Sequence, residues 1–249
     1  MEKKDQIELN ERSKHIRMEA FKLSKANGGY HYGGSFSAAE ILIALYDHVL
    51  TDNDKFILSK GHSCWPYYVL LREKGFNPKL EAHPTLDESN GVHCTTGSLG
   101  HGLPTGLGMA WAKKLKNESG KVYVLMGDGE CQEGTLWESL LIADHRNIDN
   151  IVAIIDNNKI QGSGFVKDIL PINCLEVVAK ECGWKVLTIN GHSNNEIKNA
   201  LTHNNEGKPL MIIANTVKGK GVSFMENRPE WHAQWPGGDF EKQLIKELE

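Results

Sequence analysis

The chain has 249 residues, with 28 Lys and Arg against 32 Asp and Glu, a net charge of −4 with histidine neutral. That balance leaves no basic stripe to neutralise a phosphate backbone, so nucleic acid is not an expected partner. No run approaches the roughly 18 apolar residues of a membrane span, and the N-terminal MEKKDQIELNERSKH lacks the apolar segment of a signal peptide. A soluble, cytoplasmic chain is expected, long enough to bury its own core without staples. The odd count of cysteines (64, 94, 131, 174, 182), none in C-x-x-C spacing, reads as buried reduced thiols.

In chain order, Ile16, Ala20 and Leu23 mark one face of a helix that stops at Asn27-Gly28-Gly29. Ser37-Ala38-Ala39-Glu40 reads as a capping box opening the next helix. Lys55–Leu58 is a candidate strand, followed by a helix near 64–74. A helical stretch over 101–116 carries a stripe of small residues, Gly100, Gly102, Gly106 and Gly108. Glycine costs a helix up to about 1 kcal/mol against alanine, so the stripe is expected to meet another backbone closely, at a subunit interface. Strong strands follow at Lys121–Met126, Ile151–Ile155, Trp184–Ile189 and Leu210–Asn215, short and rich in Val and Ile without alternation. Between and after them come helices over Leu136, Leu140 and Ala143, then near 171–183, 194–203 and 239–248. Strands alternating with helices predict an α/β fold, a single domain over 1–249 whose parallel sheet is covered by helices on both faces. Such sheets bind ligands at the carboxyl ends of their strands.

At one such end stands Gly127-Asp128-Gly129, and thirty residues after Asp128 the strand IVAII ends in Asp156-Asn157-Asn158. Glycines let a backbone approach a ligand, and a helix N-terminus offers free N–H groups to phosphate. The Asp128 carboxylate and the Asn158 amide oxygen converge if the two strands are neighbours, and such oxygens suit Mg2+ or Ca2+. Either stretch alone reads as a turn; together, at two strand ends, they read as a site.

This pattern resembles the thiamine-diphosphate-binding motif, and its surroundings resemble transketolases: GDGECQEG from Gly127, DNNKI from Asp156, and GGYHYGGS around His31. Ser59-Lys60-Gly61-His62, Ala82-His83-Pro84, Thr95-Thr96-Gly97-Ser98-Leu99-Gly100 and His232 continue it in the family's order over about residues 10–235. The resemblance implies that Asp128, Asn158 and the carbonyl of Ile160 hold Mg2+, with Ca2+ or Mn2+ able to substitute. It also implies that Gly127, Gly129, His62 and His232 contact the diphosphate of thiamine diphosphate, and that Gly97 and Leu99 line its rings. Glu133 and Glu138 match acidic positions near the family's subunit interface, Glu133 beside the cofactor. His31 and His83, and His232 with them, match positions that handle protons, a task suited to imidazole. His101 stands where the family commonly has glutamine, so its role stays open.

The family's activating glutamate belongs to a pyrimidine-binding domain that this sequence does not carry, and neither does it carry the C-terminal domain. The resemblance therefore implies the N-terminal subunit of a split transketolase. A C-terminal partner subunit would supply that glutamate, in a dimer of heterodimers. DFEKQLIKELE reads as a charged closing helix, with truncation as the competing explanation. The implied reaction transfers a two-carbon ketol unit from a ketose (phosphate) donor to an aldose (phosphate) acceptor. The alternatives are the α subunit of another thiamine-diphosphate enzyme, decarboxylating or synthase, and a cofactor-binding module without activity of its own. A Rossmann nucleotide site is disfavoured, since neither G-x-G-x-x-G nor a P-loop occurs.

Overall fold

The computed structural model describes residues 2–249. Its first helix, α1 (Glu2–Asn27), ends where Gly28 adopts a φ of 82°, which spares the left-handed turn a Cβ. Helices α2 (Tyr32–Ser37) and α3 (Ala39–Ala44) follow, α3 running into a π-helical turn over Leu45–Val49. Then come β1 (Lys55–Leu58), α4 (Trp65–Glu73), α5 (Gly102–Leu115), β2 (Val122–Gly127), α6 (Gly134–His145) and β3 (Ile151–Asn157). A hairpin of β4 (Ile160–Gln161) and β5 (Gly164–Phe165) leads through the short α7 (Val166–Ile169) to α8 (Leu175–Glu181). The chain closes with β6 (Lys185–Asn190), α9 (Asn194–Leu201), β7 (Leu210–Asn215) and α10 (Asp239–Leu248). Among the described residues, no helix is long and apolar enough to cross a membrane.

The main sheet is wholly parallel, in the order β1-β2-β3-β7-β6. Its strands lack alternation because both faces are covered. Val124, Ala153 and Met211 point into one apolar cluster with α5, α6 and α8; Leu125, Ile154 and Ile212 point into another with α1, α3, α4 and α9. Each such Val, Leu or Ile contributes about 1.5–3 kcal/mol by leaving water. The edge strand β6 is only partly buried, so its pattern is the weakest of the five.

Four sequence expectations give way here. Ser37-Ala38-Ala39-Glu40 is not a capping box: no side chain caps α3. The Ser37 hydroxyl donates instead to Asp156 at 2.6 Å, and Glu40 is buried and gripped by Arg17 at 2.7 Å. Most of the glycine stripe serves the chain's own packing rather than a subunit interface. A Cβ on Gly106 would lie 2.6 Å from Val124, one on Gly102 2.2 Å from the Ser59 hydroxyl, and one on Gly100 2.6 Å from Glu133; only Gly108 faces open space. All five cysteines are free, but only Cys64 and Cys131 are buried, while Cys174 is exposed. The helix expected over 171–183 is also shorter, α8 alone, with α7 as a separate turn before it.

Candidate functional site

The carboxyl ends of four neighbouring strands open into one cavity of about 420 Å³. The segment after β1 brings Lys60 and His62, and the one after β2 brings Asp128 and Gly129 beyond Gly127. The segment after β3 brings Asn158 and Ile160, and the one after β7 brings Lys218. Parallel register is the cause: Gly127 pairs with Asp156 and Asn157 with Asn215, so the residues just beyond come out side by side. His31 enters from the turn between α1 and α2, His83, Gly97 and Leu99 from the long connection between α4 and α5, and His232 from the segment before α10. Glu133 sits at the mouth, exposed, while Glu138 lies outside the cavity on the solvent side of α6. A roomier groove of about 560 Å³ lies over β3, β7 and β6 beside α8, but no buried ionisable side chain lines it.

Asp156, at the end of β3, is fully buried and ties the floor together. It is ion-paired with Lys60 and accepts from Ser37, Thr216 and, at 3.1 Å, the Asn158 amide. Burial pushes its carboxyl up, but the Lys60 ammonium and these donors outweigh that and hold it below the usual carboxylate range. The same network orients Asn158, whose NH2 donates to both Ser37 and Asp156 at 3.1 Å. Its Oδ1 is thereby turned toward the N–H of Ile160, 3.1 Å away.

Asp128 is buried and has no ion pair among the described residues; it accepts only main-chain N–H groups, from Gly129 at 2.8 Å and from Lys159. Burial pushes its carboxyl up to about 6, and the nearby Asp156 adds to the rise. An uncompensated carboxylate, an oriented amide oxygen and the Ile160 carbonyl form a hard-oxygen donor set, so these residues fit a divalent cation whose remaining positions phosphate and water can fill. The buried ammonium of Lys218 donates to the Ile160 carbonyl at 2.9 Å.

Beside this donor set, across the Lys218 ammonium, the lining is imidazole. His31, His62 and His232 form a triangle with ring centroids 5.3–5.7 Å apart. Lys218 Nζ lies 2.7 Å from His232 Nδ1; as an ammonium it donates there, and the ring proton then sits on Nε2. Burial, followed by repulsion from Lys218, His31 and Lys60, pushes His232 down to about 3. Burial and then Lys60 take His62 well below its ordinary value, and burial and His83 lower His31. Lys218 itself falls to about 7, through burial and the repulsion of Lys60. This wall offers neutral N–H donors and two buried amines to whatever enters, an environment suited to a polyanion. Gly97, at φ 142°, brings its backbone against His83, where a Cβ would sit 3.4 Å from the ring.

The sequence reading named neither Lys218 nor Thr216, took Ser37 for a helix cap rather than a floor residue, and gave Lys60 and Asp156 no role inside the motifs that contain them. Lys60 stood in view between Ser59 and His62; Lys218 belongs to no motif and could have been found only from its place after a core strand. The loop that carries it is tied down from behind. Val217 N–H donates to His192 at 2.9 Å, and His192 bonds Glu40 at 3.1 Å.

Residues 10–247 match the family model described as "Transketolase, thiamine diphosphate binding domain". Among curated proteins, the chain is 39% identical to one of the subunits of apulose-4-phosphate transketolase from Actinobacillus succinogenes, covering 97% of this chain and 96% of that one. It is 34% identical to one of the subunits of 6-deoxy-6-sulfo-D-fructose transketolase from a Clostridium species, covering 98% and 97%. Among solved structures, transketolase from Campylobacter jejuni superposes with a TM-score of 0.84 at 28% identity, over 96% of this chain but 42% of that one. The chain thus spans about two fifths of the length of that transketolase.

Proposed function

The chain belongs to the transketolase family through its thiamine diphosphate binding domain, and from that premise we propose that it is the diphosphate-binding subunit of a split transketolase. It takes thiamine diphosphate with Mg2+ and works with a partner subunit that brings the activating glutamate, in a dimer of heterodimers. What carries this reading is the convergence of four strand ends on one cavity that sets a buried carboxylate, without an ion pair among the described residues, beside neutral imidazoles and two amines. Support for a separate partner comes from the two relatives named as transketolase subunits, which match nearly end to end. Their names point to ketose phosphates or sulfonated ketoses as donors; the proposed acceptor is an aldose or its phosphate.

Asp128, Asn158 and the Ile160 carbonyl would hold the metal, once the Lys218 ammonium leaves that carbonyl for a phosphate oxygen. Gly127 and Gly129 let the backbone come close, and His62 and His232 donate from their wall to the diphosphate. Thiamine diphosphate supplies, when bound, the carbanion chemistry of two-carbon ketol transfer. His31 and His83 stand at the opening, where they would take a proton from a sugar hydroxyl or return it; burial keeps His31 neutral and able to accept.

Titration calorimetry of thiamine diphosphate and Mg2+ into the chain, alone and with its partner subunit, tests the reading. Weak binding alone, tight binding together and ketol transfer only by the pair are expected. Full transfer by the single chain, or turnover of pyruvate in its place, would overturn it.

A further inference from the structure

Of the acidic side chains within 130–138, just after the Gly127-Asp128-Gly129 turn, Glu130 alone is buried; it lines the same cavity, but both of its oxygens are taken up by hydrogen bonds from the protein. Its Oε1 accepts from the Ser59 hydroxyl and from Gly100 N–H at 2.8 Å; its Oε2 accepts from Gly127 N–H at 3.2 Å. Ser59, having given its hydrogen to Glu130, accepts in turn from Gly102 N–H at 3.2 Å, at the start of α5. One carboxylate thus joins the exit of β1, the exit of β2, and the loop that carries Gly97 and Leu99. That loop has little else to fix it: Leu99 is exposed, and the other tether on Gly100 is its carbonyl, which accepts from Thr135 at 2.7 Å. Gly100, at φ 83° and packed against Glu133, leaves no room to settle elsewhere.

We propose that Glu130 is a positioning residue that sets the 97–100 loop against the diphosphate-binding turn, so that cofactor affinity depends on a carboxylate that touches neither metal nor substrate. The assignment rests on the reading of the cavity as a thiamine diphosphate site. A carboxylate is required because donors converge on both of its oxygens. Glutamine can accept at only one, and its NH2 would then face a donor at the other. Ser59 can turn its hydroxyl away, but the main-chain N–H groups of Gly100 and Gly127 cannot, and a buried N–H left without an acceptor is expensive.

The test is steady-state kinetics of the complex with the partner subunit, varying thiamine diphosphate at saturating Mg2+, for the wild type, Glu130→Gln, Ser59→Ala and the double variant. Glu130→Gln should raise the cofactor KM by roughly tenfold or more, and the rise should exceed any fall in kcat at least threefold. Ser59→Ala should raise KM by about threefold, and the double variant should show less than the product of the two, since both act on one network. A fall in kcat with KM unchanged is what a purely structural role would give, and it overturns the proposal; so does a multiplicative double variant. If Glu130→Gln does not fold, Ser59→Ala decides alone, and an unchanged KM there overturns the proposal. A wild-type complex that does not bind thiamine diphosphate sinks the cavity reading and this proposal together. Tight wild-type binding with an unaltered Glu130→Gln overturns this proposal only.

Discussion

At the floor of the cavity, Asp156 is fully buried and receives donors from four side chains, Lys60, Ser37, Thr216 and Asn158. At the rim, His83 and Leu99 stand exposed on a long connection, and Glu133 reaches the mouth from the N-terminus of α6. The two regions meet opposite demands. A diphosphate and its metal carry fixed charge, and dipoles organised in advance hold charge without reorganising as it arrives. On the proposed reading the rim is where the partner subunit would make contact, and its side chains have few hydrogen bonds within this chain, whereas the floor is bonded throughout by the chain's own residues.

The comparison is broken most severely at Asp156. Asp156→Ala leaves the buried Lys60 ammonium without its counter-ion, with the Gly34 carbonyl still an acceptor, and should cost about 3–5 kcal/mol of folding stability, read by urea unfolding. A loss below about 1 kcal/mol would show that the floor is not what holds these strand ends together.

Next comes Asp128, where stability and binding should part. Its carboxyl, pushed up to about 6 in the fold from an ordinary 3.8, binds more protons folded than unfolded between those values. Stability therefore falls as pH rises through that window, by about 3 kcal/mol at most. Asp128→Ala should abolish metal-dependent cofactor binding and yet unfold no more easily at pH 7 than the wild type. Unchanged affinity for thiamine diphosphate with Mg2+ would refute the metal assignment.

A smaller effect is expected from pH itself. Below about 6, Asp128 must lose a proton to take a metal, so affinity should fall by about tenfold per unit. Above about 7, Lys218 must gain one to meet the diphosphate, so affinity should fall again as pH rises. Calorimetry in buffers of different ionisation enthalpy should find proton uptake on binding at pH 8. No uptake would place Lys218 outside the anion contact. At the rim, Leu99→Ala should shift stability by no more than about 0.5 kcal/mol, being exposed. Its effect on cofactor binding should appear in the complex and not in the chain alone; a large effect in the chain alone would erase the distinction between floor and rim.

Much of this architecture was legible in the residues. Four of the sheet's five strands could be read from Val- and Ile-rich runs, with Lys55–Leu58 as a candidate fifth, and the parallel arrangement from the helices between them. The Gly127-Asp128-Gly129 and Asn157-Asn158 stretches could be read as neighbours at strand ends. The misreadings share a cause. Ser37 and Glu40 carry the right spacing for a cap, but each found a buried partner far away in sequence, and a buried charge takes its partner before a helix end does. The glycine stripe was read as a close approach, and at three of its four glycines the surface approached belongs to the same chain: the start of α6 at Gly100, Ser59 after β1 at Gly102, and β2 at Gly106.

What the sequence determined by itself is local: periodicity, turn chemistry, and a metal-and-phosphate motif whose residues lie within a few positions of two strand ends. What only the tertiary structure decided is the company those residues keep. β7 inserts between β3 and β6, and that strand order delivers Lys218 to the Ile160 carbonyl and to His232. Depth in the sheet then decides which groups are charged, lifting Asp128 and lowering Lys218 and His232 by removing water. No spacing along a chain encodes that, because desolvation belongs to the packed volume around a side chain and not to its neighbours in sequence.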